Sequence, residues 1–237
     1  MFDLFSDPVK VAQQLEIIVN EFGFATWETL YSLVLEVVFA YVIGLPLGVL
    51  LVTGEKGGIR PLPGWIMKSL NVIINLLRSV PFLILMVLVF PLSRLILGTT
   101  IGTTATIVPL TVAAAPYVAR LVEGSLREMD RGVVEAAQSM GCSTWQIVTK
   151  VILPECLPSL IIGATNATIT ILSYGAMAGI IGGGGLGKMA INYGYYRYKY
   201  MIMLVAVILL ILLVQIFQSI GTRLAVKSDK RLKNQAK

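Results

Sequence analysis

The chain has 237 residues, 56% of them apolar and only 14% charged, where an ordinary soluble domain carries about 25% charged residues. With a mean hydropathy of +0.82, the composition excludes a disordered chain, argues against a soluble globule and points to an all-α integral membrane protein. Histidine is absent and the formal charge is +6. The missing histidines remove histidine-based triads and most zinc and haem sites, so no metal, no cofactor and no catalytic residue are expected on this chain.

Residues 1–28 form an acidic head, with Lys10 against Asp3, Asp7, Glu16, Glu21 and Glu28. Val9, Leu15, Ile18 and Phe22 recur at helical spacing, which predicts an amphipathic helix lying on the membrane surface. No basic region precedes an apolar core, as a secretory signal requires. A single transmembrane domain follows over 29–224, its spans read as apolar runs of about 20 residues. The first runs over 29–52. Its Gly44 and Gly48 have GxxxG spacing, read as close helix packing. Glu36 places a charge some 10 Å into this span, and Arg78 and Arg94 are both candidate partners for it. The second and third spans cover 73–92 and 101–122. Pro81, Pro91, Pro109 and Pro116 interrupt them, so they are expected to face protein or a cavity rather than lipid.

The connector over 123–158 is patterned as two short helices. Asp130 is the expected N-cap of the first, and Gly141 suits the left-handed position that ends it. Ser143-Thr144-Trp145-Gln146 is a capping box that starts the second. Pro154 marks its end, and Pro158 suits the first turn of the next span. Cys142 and Cys156 lack a CxxC spacing and read as buried bystanders.

The fourth span, 160–181, carries Asn166, Thr170, Ser173, Tyr174 and Met177, the candidate lining or gate of a transport path. Asn166 to Tyr174 covers about 12 Å. Tyr174 and Met177 are three apart and are expected to share a face. Their aromatic ring and thioether would suit a thioether ligand or close as an apolar gate. The competing reading is that Ser and Thr here bond the preceding helical turn. GGGGLGK, Gly182–Lys188, mimics a phosphate-binding loop. It lacks the Ser or Thr after the lysine, since Met189 stands there, and no strand precedes it. It reads as a closely packed turn. Tyr193, Tyr195, Tyr196, Tyr198 and Tyr200 then look like an interfacial belt.

The fifth span covers 201–224, and a basic tail, 225–237, ends the chain. From Arg223 on there are Lys227, Lys230, Arg231, Lys233 and Lys237 against one acid, Asp229. By the positive-inside rule the tail is cytoplasmic and the head outside. The loops with Lys56, Arg60 and Lys68 and with Arg120, Arg127, Arg131 and Lys150 then also fall inside. The loop with Lys188, Arg197 and Lys199 is basic yet falls outside, against the rule. The charge pattern is an orientation signal, and no nucleic-acid partner is expected.

The string EAAQSMGCSTWQIVTKVILP, Glu135–Pro154, resembles the EAA motif of ABC importer permeases, EAA-x3-G-x9-I-x-LP. Glu135, Ala136, Ala137, Gly141, Leu153 and Pro154 match in register, and Val151 replaces the usual Ile. From about Trp27 to Gln218 the chain is similar to the methionine-importer branch of these permeases. That resemblance implies an inner-membrane permease homodimer with five spans per subunit. It also implies two ATP-binding subunits, which the Glu135–Pro154 loop docks, and an outer substrate-binding protein or lipoprotein. The branch imports L-methionine, often D-methionine too. A permease of the same class for another amino acid or a small peptide is the nearest rival. An ATP-independent transporter or channel is a distant one, because neither internal repeats nor paired intramembrane acids are present.

Overall fold

The computed structural model describes residues 8–229, and every regular element among them is helical: α1 (Pro8–Thr53), α2 (Gly64–Ser79), α3 (Phe82–Leu97), α4 (Thr103–Arg127), α5 (Arg131–Ser139), α6 (Thr144–Gln146), a π-helical stretch (Ile147–Ile152), α7 (Leu153–Glu155), α8 (Leu157–Ala178), a 3-10 turn (Gly179–Ile181), α9 (Gly185–Lys188), a second π-helical stretch (Met189–Tyr195) and α10 (Tyr200–Ser228). Four of these are long and apolar enough to cross a membrane, and α2 with α3 makes a fifth as a bent pair.

Three elements depart from the expected spans. Residues 8–28 do not form a separate surface helix. They are the first turns of α1, whose 46 residues reach about 69 Å at 1.5 Å per residue. That is more than twice a hydrocarbon core of about 30 Å. No proline interrupts α1 before Pro46, so nothing in the backbone separates head from span. The second span is not one helix over 73–92. It bends by 111° between α2 and α3. Val80 is extended there (φ −77°, ψ 130°), because a residue before proline is pushed out of the helical region and Pro81 has no N–H to continue the ladder. α10 runs to Ser228 and so takes in the start of the expected tail, of which residues 230–237 lie outside the described residues, as do residues 1–7 of the head.

α4 runs unbroken through Pro109 and Pro116 and is the most internally buried of the candidate spans, at 67%. The sequence expectation that its prolines face protein holds.

The chain divides into two compact units. One holds the residues up to Val38, Pro81–Val112 and Thr168–Ile216, and the other holds Phe39–Val80, Ala113–Ala167 and the residues from Phe217. In the first unit, Phe22 and Ala25 pack with Leu186, Met189, Ala190, Ile202 and Ala206. A second cluster there joins Met86, Leu110 and Ala178. In the second unit Leu51, Ile74 and Ala119 form the core. Gly44 and Gly48 let α1 meet α4 there. A Cβ on Gly44 would stand 2.8 Å from the Ala115 carbonyl oxygen, and one on Gly48 2.7 Å from that of Ala119. Both approaches are closer than any real side chain tolerates, so the GxxxG spacing is a packing device as expected.

Candidate coupling surface and transport helix

The loop between α4 and α8 is built by four local devices. Asp130 caps α5, its carboxylate accepting from the Gly132 N–H at 2.8 Å. Gly141 ends it at φ +76°, with Cys142 N–H donating to Ala137 O and Gly141 N–H to Gln138 O, the bond pair of a Schellman stop. Ser143 then starts α6. Its N–H donates to Gln146 Oε1 at 2.9 Å, and its hydroxyl accepts from the Gln146 N–H at 3.4 Å, the reciprocal capping box. Finally, Ile147, Val148 and Ile152 of the π-helical stretch are buried. The helix ends one residue past Pro154, and Pro158 sits in the first turn of α8, as expected.

Of the motif residues, only Ala137 is fully buried. Glu135, Ala136, Gly141 and Pro154 are exposed and Leu153 half-buried. Beside them Met140 is 76% exposed and Trp145 75%. Large apolar side chains left in the open on a rigid, doubly capped pair of helices make a surface suited to a protein partner. Glu135 also lines a cavity of about 220 Å³ with Arg127, Arg131 and Gln138.

Behind this loop lies an ion network that the sequence did not reveal. Arg120 donates to Glu123 at 2.6 Å and to Asn71 and Asn75. Arg127 donates to Glu123 at 2.9 Å and to Glu55 at 2.8 Å. Glu123 is buried, so its two oxygens are shared between two guanidiniums, the arrangement a buried carboxylate needs. The network ties the end of α1 and the face of α2 to the last turns of α4.

The glycine run is held inside the first unit. Glu28 accepts from Thr103 Oγ1 at 2.8 Å and from the Gly185 N–H at 2.9 Å, and Thr29 Oγ1 accepts from the Leu186 N–H at 2.9 Å. A Cβ on Gly184 would run into Thr103 Oγ1, and one on Gly187 into the Ala176 carbonyl. Two backbone N–H groups of the run, those of Gly185 and Leu186, are thus taken by α1. Glu28 had been legible only as one of the acids of the head. Further out, Tyr193 donates to Glu21 at 3.0 Å. Burial, and then that bond, push the Tyr193 phenol up from its ordinary value.

The candidate path residues of α8 do not share one surface. Tyr174 stacks on Phe82, with centroids 4.3 Å apart and planes 8° apart. Met177 points away from that stack and is 45% exposed. The Phe82 ring stacks on Tyr174 alone, although a three-residue step leaves Tyr174 and Met177 on neighbouring rows of the helix. Met177 and Ser173 instead line an open, mostly apolar groove of about 340 Å³ with Ile180, Ile191, Leu210 and Val214. Ser173 spends its hydroxyl proton on the Ile169 carbonyl, as Ser and Thr do in membrane helices. Thr170 is half-buried, and Asn166 is exposed on the part of α8 that belongs to the second unit. Glu36 is 1% exposed, and among the described residues neither Arg78 nor Arg94 nor any other cation pairs with it. Both side chains proposed as its partners are corrected accordingly.

The described residues make a helical chain with up to five candidate spans and a capped two-helix loop. It belongs to the family of binding-protein-dependent transport system inner membrane components, which matches residues 44–232. Within that family it is 51% identical over 208 residues to the probable D-methionine transport system permease protein MetI of Vibrio cholerae serotype O1, covering 87% of this chain and 92% of that protein. It is 47% identical over 153 residues to the D-methionine transport system permease protein MetI of Escherichia coli K12, covering 65% of this chain and 70% of that one. Among solved structures, a chain of the MetNI methionine ABC transporter in an inward-facing conformation superposes with a TM-score of 0.86 at 42% identity, over 88% of this chain and 96% of that chain. A chain of an amino acid ABC transporter at 19% identity, with a TM-score of 0.72, shares the fold.

Proposed function

We propose that this chain is the permease subunit of an ATP-driven importer of methionine, working as a homodimer with two ATP-binding subunits and an outer substrate-binding protein. The observation that carries the reading is the length of the likeness. It reaches 51% identity over 208 residues, 92% of a D-methionine permease. Glu135, Ala136, Ala137, Gly141, Leu153 and Pro154 form the surface docked by the ATP-binding subunit. The two caps and the Gly141 stop make the loop stiff, so that movement of the partner is transmitted to α4 and α8 rather than absorbed. ATP binding draws the partner subunits together and opens the path outward; hydrolysis resets it inward. The head lies outside and the tail in the cytoplasm, on the charge asymmetry.

The groove lined by Met177, Ser173 and Ile180 is the part of the path that meets an apolar side chain, and a polarizable thioether adds sulfur contacts there. The test is uptake of labelled L- and D-methionine into proteoliposomes holding this permease, its ATP-binding subunit and the loaded binding protein. ATP-dependent accumulation is expected. Accumulation without the ATP-binding subunit, or of another amino acid in preference to methionine, overturns the corresponding half of the reading.

A further inference from the structure

Glu36 is the most deeply buried acid described, at 1% exposure. Its Oε1 makes no hydrogen bond to any protein group, and no cation pairs with it. A bare carboxylate in a low-dielectric interior is too costly to stand uncompensated. Beside it is a cavity of about 20 Å³ lined by Thr29, Ser32, Glu36, Thr103, Thr106 and Gly175, among others. A particle the size of one water needs about 10–15 Å³, so the cavity admits one and no more.

The hydroxyls around it have already committed their protons. Thr29 donates to the Ala25 carbonyl, Ser32 to that of Thr29, and Thr106 to that of Thr103. Thr103 donates to Glu28. What they present to the cavity is therefore oxygen lone pairs. Gly175 brings its helix close, since a Cβ there would stand 3.9 Å from Glu36 Oε2. A space whose side-chain polar groups are these hydroxyl oxygens and one carboxylate, set among Leu33, Leu172 and Leu210, favours a small positive occupant. No group of three acids, cysteines or histidines exists among the described residues, which disfavours a divalent ion. A proton placed on Oε1 alone would not reach the surrounding oxygens, because no hydroxyl is in bonding geometry with it; a bridging particle would.

We propose that this cavity is a binding site for one small monovalent cation, sodium, which neutralises Glu36 and cross-links α1, α4 and α8 within the first unit. The other charged groups near this unit's packed elements are accounted for. Glu28 is bonded to Thr103 and Gly185, and Lys188 is exposed. The reading does not depend on the transported substrate.

The test is thermal unfolding of the full-length protein in lipid nanodiscs. Sodium chloride is exchanged for choline chloride at constant ionic strength, and separately pH is lowered from alkaline to mildly acidic in choline chloride. Ligand linkage predicts a midpoint about 2–4 °C higher in sodium than in choline. A response to pH with none to sodium is protonation of the carboxyl alone and overturns the site. Glu36→Gln, neutral and similar in shape, should lose that response. Where Glu36→Gln does not accumulate, Thr106→Val, which removes one oxygen from the cradle, should weaken it. A wild type indifferent to both exchanges, as with a cavity holding water only, overturns the site. So does a response that these variants keep in full.

Discussion

The Glu28 carboxylate accepts the Gly185 N–H at 2.9 Å across 157 residues of sequence. Its other oxygen accepts from Thr103, so one side chain of α1 joins the entry to α4 and the turn after α8. Glu28→Ala leaves two partly buried donors without an acceptor. Hydrogen bonds to charged groups contribute about 1.5–3 kcal/mol each, and we expect a net loss of about 2–3 kcal/mol, read as a lowered unfolding midpoint. Glu28→Gln keeps one acceptor oxygen and should fall between the two.

Glycine substitutions in α1 should separate by position. Gly48→Ala drives a Cβ to 2.6 Å from Val122 Cβ and 2.7 Å from a backbone oxygen of α4. Overpacking of this kind costs about 1–3 kcal/mol. Gly23→Ala meets nothing within 4 Å and gains helix propensity of about 0.8–1 kcal/mol. Purified yield and midpoint should drop for the first and hold or rise for the second. The opposite order would contradict the packing described here.

The coupling loop offers a contrast between folding and function. Glu135 is exposed, so Glu135→Ala should alter stability by no more than about 0.5 kcal/mol. It should nonetheless reduce methionine-linked ATP hydrolysis by the assembled transporter; unchanged hydrolysis would remove Glu135 from the docking surface. Ser143→Ala deletes the N-cap and should cost about 1 kcal/mol, seen as earlier unfolding.

On α8 the separation of Tyr174 from Met177 predicts different phenotypes. Met177→Ala removes a half-exposed side chain from the open groove and should change uptake rate while leaving assembly intact. Identical uptake in vesicles would exclude a role in the path. Tyr174→Ala strips a ring stacked on Phe82 and should destabilise by about 3 kcal/mol or more, whereas Tyr174→Phe keeps the stack and should fold normally.

The local devices were legible because they are carried by neighbours in sequence. Asp130, Gly141 and the Ser143–Gln146 box need only a few residues of chain to specify their bonds, and the bends at Gly and Pro follow from φ alone. Pro81 marks the second span as interrupted, but the 111° bend there is not readable from hydropathy. Hydropathy averages over about 20 residues and does not register a single missing N–H. The head was misread for the converse reason: amphipathic spacing shows that a helix forms, not where its neighbour begins.

By itself, the sequence determined the membrane class, the small-residue face of α1, the caps of the coupling loop and the motif that places the chain among permeases. Each depends on composition or on residues within one short continuous stretch of chain. The tertiary structure alone decided the surroundings of Glu28, Glu36 and Tyr174. A carboxylate or phenol in an apolar run is defined by the partner it finds or lacks. Those partners, Gly185 and Phe82 among them, or their absence around Glu36, arise only when distant helices pack.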